Sequence, residues 1–157
     1  MVAQESEFQE RWIVSKVTTY AKGNNLFESV MGDHKILVDS PGSWGGENRG
    51  PMPPQLFMAS LGSCVAVLVN HFCTRHGLDG DGLAVDVEYD KAEHPSRFVN
   101  IRVVVKLPSA RCPDEVTRKA LEHVAEHCPV HETIATLDKV TFVIETSTGK
   151  HQMGASV

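Results

Sequence analysis

The chain has 157 residues, a length that suits one domain with its own hydrophobic core. Hydrophobic residues make up 41% and charged residues 22%, which excludes a disordered or fibrous chain. The net charge is −5 and the basic residues are scattered, so the composition argues against nucleic acid as a partner. The first ten residues do not resemble a secretory signal, and we therefore expect a cytoplasmic protein.

Strands are predicted at the start of the chain. Apolar and polar residues alternate over about residues 10–40, and the alternation is broken at Gly23–Asn25 and at Gly32–Asp33. This pattern predicts two or three antiparallel strands joined by tight turns. A loop rich in glycine and proline follows over residues 42–54 and has no periodicity.

A long central helix is predicted over about residues 53–76. Prolines at its start suit the first helical turn, and Gly77 suits its end. The segment is apolar nearly all round, which predicts burial inside the protein. Its apolar run, Leu56–Val69, is too short to span a bilayer, so no membrane helix is expected.

The second half contains two strands over about residues 82–107, a second helix over about 113–128 and a last strand over about 139–147. Pro129 breaks the second helix, so a further short segment begins with Cys128 near its N-terminus. The tail after Ser147 is predicted to fray. The order βββ-α-ββ-α-β predicts an α+β fold, with antiparallel sheets packed on helices in a single domain over residues 1–157.

Four cysteines in a reducing compartment favour metal or redox chemistry over a disulfide framework. Cys64 lies among small residues on the central helix, and Cys128 follows the second helix. From the residues alone, either cysteine is a buried packing thiol, a reactive thiol or a metal ligand. Two further cysteines have no motif around them and are interpreted as packing thiols: Cys73 and Cys112.

Zinc is the alternative that the histidines around Cys128 raise. Three of them recur at intervals of four residues, and histidine and cysteine are the usual zinc ligands. The spacing matches no common structural zinc pattern, so no metal site is predicted. The histidines concerned are His123, His127 and His131.

The stretch "PPQLFMASLGSC", followed 64 residues after its cysteine (128 − 64) by "CPVHETI", resembles the OsmC/Ohr family of osmotically inducible and organic hydroperoxide resistance proteins. The resemblance covers nearly the whole chain. Its specific parts are the P-x-x-L-F/L-x-A-x-x-x-x-C helix and the Cys-Pro-Val after the second helix. It implies an intertwined homodimer with the two-cysteine site at the subunit interface.

The resemblance also implies a thiol peroxidase. Cys64 would attack a small organic hydroperoxide and become a sulfenic acid, which Cys128 would resolve as a disulfide. A dithiol, such as a lipoyl or thioredoxin-like protein, would then reduce the disulfide. Neither a metal nor an organic cofactor is needed. The alternative is a non-catalytic member of the family that senses oxidants or binds a small apolar ligand.

The chain departs from the family pattern beside the nucleophile. The glutamate that lies ten residues before the nucleophile in the hydroperoxide-specific branch is replaced by Pro54, followed by Gln55. The arginine that pairs with it has no match, and three basic residues are candidates for that role: Lys22, Arg49 and Arg97. His71 lies two turns after Cys64 on the same face, where it either tunes the thiol or is a satisfied core histidine.

Overall fold

A computed structural model describes residues 15–111, 114–137, 139–147 and 149–156, with backbone alone for residue 139 and residues 150–156. Two predictions fall outside the described residues: the start of the first strand, at residues 10–14, and the packing role of Cys112. The chain divides between Gln55 and Leu56 into two compact units. The single domain over residues 1–157 stays a prediction.

The first unit contains a three-stranded antiparallel sheet in the order β1-β2-β3, with strands β1 (Thr18–Gly23), β2 (Leu26–Met31) and β3 (His34–Val38). Asn24 and Asn25 form the first turn, with φ values of 50° and 55°. Two residues with positive φ are what a tight hairpin turn requires, and asparagine tolerates this conformation. The predicted strands and both turn positions therefore match the structure.

The long helix α1 spans Pro53–His76, as predicted from the prolines and Gly77. In the second unit four of its buried residues form one side of a core: Leu61, Val65, Val69 and Cys73. A Cβ on Gly62 would lie 3.1 Å from Val87 Cγ2, so the missing side chain lets a strand pack closely. By length and composition α1 could cross a membrane, but its packing in this core accounts equally for its apolar character.

Two strands and two helices pack against that core in the second unit. Strands β4 (Ala84–Glu93) and β5 (Ser96–Lys106) form an antiparallel pair. Helix α2 (Glu115–Glu126) begins at Asp114, whose carboxylate accepts a 2.7 Å hydrogen bond from Thr117 N. Helix α3 (Pro129–Thr136) follows directly. Residues from all four elements contact the buried side of α1: Val85, Val87, Ile101, Val105, Leu121, Ala125, Val130 and Ile134.

The C-terminal strands correct the predicted element order. Strand β6 (Lys139–Thr146) pairs with β7 (Gly149–Ser156), so the prediction that the tail after Ser147 frays is wrong. The tail was missed because "GKHQMGAS" lacks the alternating β-branched residues of a strand, and its conformation comes from pairing with β6. The second helix ends at Glu126, two residues earlier than predicted, and α3 is a separate helix. The observed order βββ-α-ββ-α-α-ββ is an α+β fold with antiparallel sheets and helices, which confirms the predicted class.

Candidate active site

Cys64 lies in the middle of α1, where small residues surround it. Its side chain is half-buried and packs against the core that Leu61 and Val65 form on either side of it. Ser63 is exposed, and its hydroxyl donates a 2.6 Å hydrogen bond back to the carbonyl of Ala59. The small neighbours leave the Cys64 thiol accessible on one side and in contact with the core on the other.

Cys128 is the N-cap of α3 and is fully buried. Pro129 lacks an amide hydrogen and has a fixed φ, so it ends α2 and suits the first position of the next helix. The backbone N–H of His131 donates to Cys128 Sγ over 3.2 Å, and the N–H of Glu132 donates to its carbonyl over 3.0 Å. The proline thus explains why a cysteine sits at a helix N-terminus inside the core.

The side chains of Cys64 and Cys128 lie next to each other in the same core and interact. Both are reduced thiols. Burial raises the pKa of Cys128 above its ordinary value of 9.0; the His131 N–H partly offsets this rise, and the neighbouring Cys64 adds to it. Cys128 therefore remains protonated at neutral pH. Two neighbouring thiols, one buried and one more accessible, can form a disulfide on oxidation.

An open groove of about 550 Å³ lies in the second unit, and its lining includes neighbours of both cysteines but neither cysteine itself. We call its lining residues on α1 and β5 the floor and those on α2 and α3 the walls. Leu61 and Val65, which flank Cys64 in the helix, lie on the floor, and His131, whose N–H contacts Cys128, lies on a wall. The volume falls within the range of small-molecule sites.

The first unit contains a buried carboxylate that the sequence did not predict. Asp39 is 1% exposed and accepts hydrogen bonds from the backbone N–H of Ser40 (2.8 Å), Glu47 (3.2 Å) and Arg49 (3.0 Å), and from Arg49 Nε (2.7 Å). The Arg49 side chain is the largest cause that holds the pKa of Asp39 well below its usual range. We call residues 39–50 the Asp39 loop. The only sequence signal for it is an aspartate directly before a long Gly/Pro segment.

Each of the residues that were predicted to support the thiols has a polar partner or is exposed. Arg49 is bound to Asp39, and its Nη2 also donates to Asn24 O over 2.7 Å. Lys22 Nζ lies 3.9 Å from a Glu28 carboxylate oxygen. The remaining three lie as follows: Gln55 Oε1 accepts from Met52 N over 2.8 Å, Arg97 donates to Pro95 O over 3.2 Å, and His71 is exposed.

These positions separate the predicted residues into two groups. The structure brings Cys64 and Cys128 into contact, as a reactive pair needs. The roles of Lys22, Arg49, Arg97, Gln55 and His71 toward the thiols stay predictions.

The zinc alternative finds no support in the described part of the chain. No group of three or more histidine, cysteine, aspartate or glutamate residues there is placed to hold a metal ion. The rings of His123 and His127 stack with centroids 4.0 Å apart. His127 Nδ1 bonds to the carbonyl of His123 over 2.8 Å, and His131 Nδ1 bonds to the carbonyl of Glu126. Each of these two histidines thus uses a ring nitrogen on a backbone carbonyl four or five residues earlier in the chain.

A family comparison gives the relationship that the thiol geometry suggests. The model of the family described as "OsmC-like protein" matches residues 46–143, which include both cysteines. The chain belongs to the OsmC-like family. A comparison with curated proteins finds no match.

Solved structures of OsmC-like proteins share the fold at low sequence identity. A putative osmotic stress induced and detoxification response protein from Psychrobacter arcticus is 19% identical, with a TM-score of 0.67 over 79% of this chain and 90% of that one. An organic hydroperoxide resistance protein OsmC from Legionella pneumophila, described as a predicted redox protein, is 20% identical, with a TM-score of 0.55 over 81% and 93%. The organic hydroperoxide resistance protein OhrB of Bacillus subtilis is 21% identical, with a TM-score of 0.52 over 80% and 93%.

Proposed function

We propose that this OsmC-like protein is a thiol peroxidase that reduces organic peroxides and hydrogen peroxide. The observation that carries the proposal is the contact between Cys64 and a buried, protonated Cys128 beside an apolar groove. Membership of a family that includes proteins named for hydroperoxide resistance supports the same chemistry.

The proposed reaction divides the work between the two thiols. The Cys64 thiolate attacks the outer oxygen of the hydroperoxide, the O–O bond breaks, and the corresponding alcohol leaves after taking up a proton. Cys64 becomes a sulfenic acid. The Cys128 thiol then attacks that sulfur, a disulfide forms, and water leaves. An external dithiol reduces the disulfide by exchange and is itself oxidised to a disulfide.

The accessibility of the thiols supports this order. Cys64 is half-exposed, so a peroxide can reach it, whereas Cys128 is fully buried and protonated. A protonated buried thiol is a poor first nucleophile, since the thiolate is the reacting form. Its contact with Cys64 supports the proposal that it resolves a sulfenic acid on that residue. A dithiol such as a lipoyl or thioredoxin-like protein, in the cytoplasm, would complete the cycle.

Peroxide consumption by cysteine variants tests the proposal. With excess dithiol the wild type turns over many equivalents, and Cys64→Ser consumes none. Cys128→Ser consumes about one equivalent and then drifts to sulfinic acid with excess peroxide. Cys73→Ala is the control, because Cys73 lies in the same core and has no part in the reaction. A Cys73–Cys112 disulfide in mass spectra after mild oxidation would contradict the assignment.

A redox sensor is the second candidate, and the start of α1 favours it. The family glutamate is absent, and the neighbouring Gln55 uses its side-chain oxygen to accept from Met52 N. No acidic residue lies in the first turn of α1. Formation of one Cys64–Cys128 disulfide per chain without turnover in the presence of dithiol would identify the sensor.

We also propose that the protein works as a homodimer. Strand β6 exposes apolar side chains on both faces, with Phe142 55%, Val143 51% and Ile144 52% exposed, and Val67 on α1 is 68% exposed. Large exposed apolar side chains on a strand and a helix are typical of surfaces that a partner covers. An obligate dimer would bury more than about 2,000 Å² in total. A monomer in sedimentation at micromolar concentration would contradict this proposal.

A further inference from the structure

The polar groups that line the groove beside the thiols share one property. Its floor is apolar, and the side chains with polar atoms are Glu122 and Glu126 on α2 and His131 on α3. Carboxylates accept hydrogen bonds and carry negative charge, and they have no donor to offer. A ligand in the groove could therefore accept a hydrogen bond from a side chain only if the His131 ring donates one.

The hydrogen bond of His131 fixes its ring tautomer. Its Nδ1 bonds to the backbone carbonyl of Glu126. A carbonyl oxygen only accepts, so Nδ1 must donate, and in the neutral imidazole Nε2 is left as an acceptor. All the polar side chains of the groove wall then present acceptors.

Only one of the two glutamates is paired with a positively charged residue. Glu122 is paired with Arg118 one turn earlier on α2. Glu126 has no hydrogen bond or ion pair to its carboxylate within the described part of the chain. Arg118 does not line this groove. The groove thus combines an apolar floor with one uncompensated negative charge.

We propose that the groove binds an apolar molecule whose polar end donates hydrogen bonds or is positively charged, and that Glu126 excludes anionic amphiphiles. The part of the groove nearest the thiols is lined by His131, whose N–H contacts Cys128, and by Leu61 and Val65, which flank Cys64. If the protein is the peroxidase proposed above, it should prefer neutral and cationic apolar hydroperoxides to hydroperoxides that carry a carboxylate. Electrostatic repulsion is the physical reason, because the Glu126 carboxylate in the groove lining repels the carboxylate of an anionic ligand.

Binding of three ten-carbon ligands to the reduced wild-type protein tests the inference without any redox step. We expect decylamine and decanol to bind, and decylamine to bind at least about tenfold more tightly than decanoate in calorimetry. In Glu126→Gln the ratio between amine and carboxylate should fall to less than about a third of the wild-type value. Ala135→Trp, on an exposed wall of the groove, should abolish binding of all three.

A matched control separates the groove from the overall charge of −5. Glu132→Gln removes the same charge from a residue of α3 that is exposed and does not line the groove, and it should leave the ratio unchanged. An equal fall in Glu132→Gln, equal affinity for decanoate and decylamine, or binding that survives Ala135→Trp would each overturn the inference. The inference would also be overturned if the ligands failed to bind because a second copy of the chain covers the groove.

The binding result and the peroxidase result can fail separately. If the ligands bind with the expected ratio but no variant consumes peroxide, the proposed function fails and the ligand class stands. If peroxide turns over but hydroperoxides with a carboxylate react as fast as their methyl esters, the proposed substrate preference is contradicted and the proposed peroxidase activity is supported.

Discussion

The Asp39 loop and the thiol pair bury ionisable groups by opposite means. Asp39 keeps its charge, because three backbone N–H groups and the Arg49 guanidinium donate to it in place of water, and its pKa is lowered. Cys128 loses its water in an apolar core, where one backbone N–H donates to its sulfur, and its pKa is raised. A buried carboxylate with many donors is thus kept charged, whereas a buried thiol with few donors stays protonated.

The largest expected effect is on the thiol side. Oxidation to a Cys64–Cys128 disulfide closes a loop of 64 residues (128 − 64), which in the chain-entropy model stabilises by roughly 4 kcal/mol. In calorimetry, peroxide-treated protein should melt about 10 °C above reduced protein. Cys128→Ser should show no such increase after the same treatment. A lower Tm on oxidation would mean that the disulfide distorts the core and that the pair is not set for closure.

The next effect concerns the close packing of the Asp39 loop. A Cβ on Gly46 would overlap the Ser40 carbonyl and lie 2.5 Å from Asp39 Oδ1, so the loop cannot accept a side chain there. Gly46→Ala should lower the unfolding free energy by about 2 kcal/mol, as measured by urea denaturation. Gly42→Ala is the matched control, because open space surrounds that position. Equal stabilities of the two variants would show that the loop moves freely and that Asp39 does not hold it.

A smaller effect follows from the charge of Asp39. The pKa of Asp39 is lowered in the folded protein, so its stabilising contribution is present above its ordinary pKa of 3.8 and is lost as the pH falls through the folded value. Asp39→Asn should lower Tm at pH 7 by several degrees, roughly 5 °C, and should flatten the acid dependence of Tm. Glu93→Gln serves as the control, since Glu93 is exposed at a hairpin. An unchanged Tm at pH 7 would contradict a charged, fully bonded Asp39.

The elements that depend on local sequence signals could be predicted from the sequence. Periodicity and punctuation fixed the strands before residue 40, the long helix and the Pro129 break that places Cys128 at a helix N-terminus. The Cys64–Cys128 disulfide was predicted by resemblance and stays a prediction, and the structure shows the two side chains packed in one core. Asp39 could not be predicted, because its partners come from loop backbone that has no periodicity, and β7 owes its conformation to pairing with β6.

The smallest expected effect is the alkaline dependence of the thiol pair. The folded pKa of Cys128 lies above its ordinary value of 9.0, so the folded state keeps a proton that the unfolded state gives up. The corresponding stability is complete below about pH 9 and is lost as the pH rises through the folded pKa. The unfolding free energy of reduced wild type should therefore fall more steeply above pH 9 than that of Cys128→Ala. The difference between the two proteins should be constant below about pH 8, which removes the contributions of other titrating groups. Parallel curves across the alkaline range would mean that water reaches Cys128 in the folded state, and the contrast with Asp39 would then disappear.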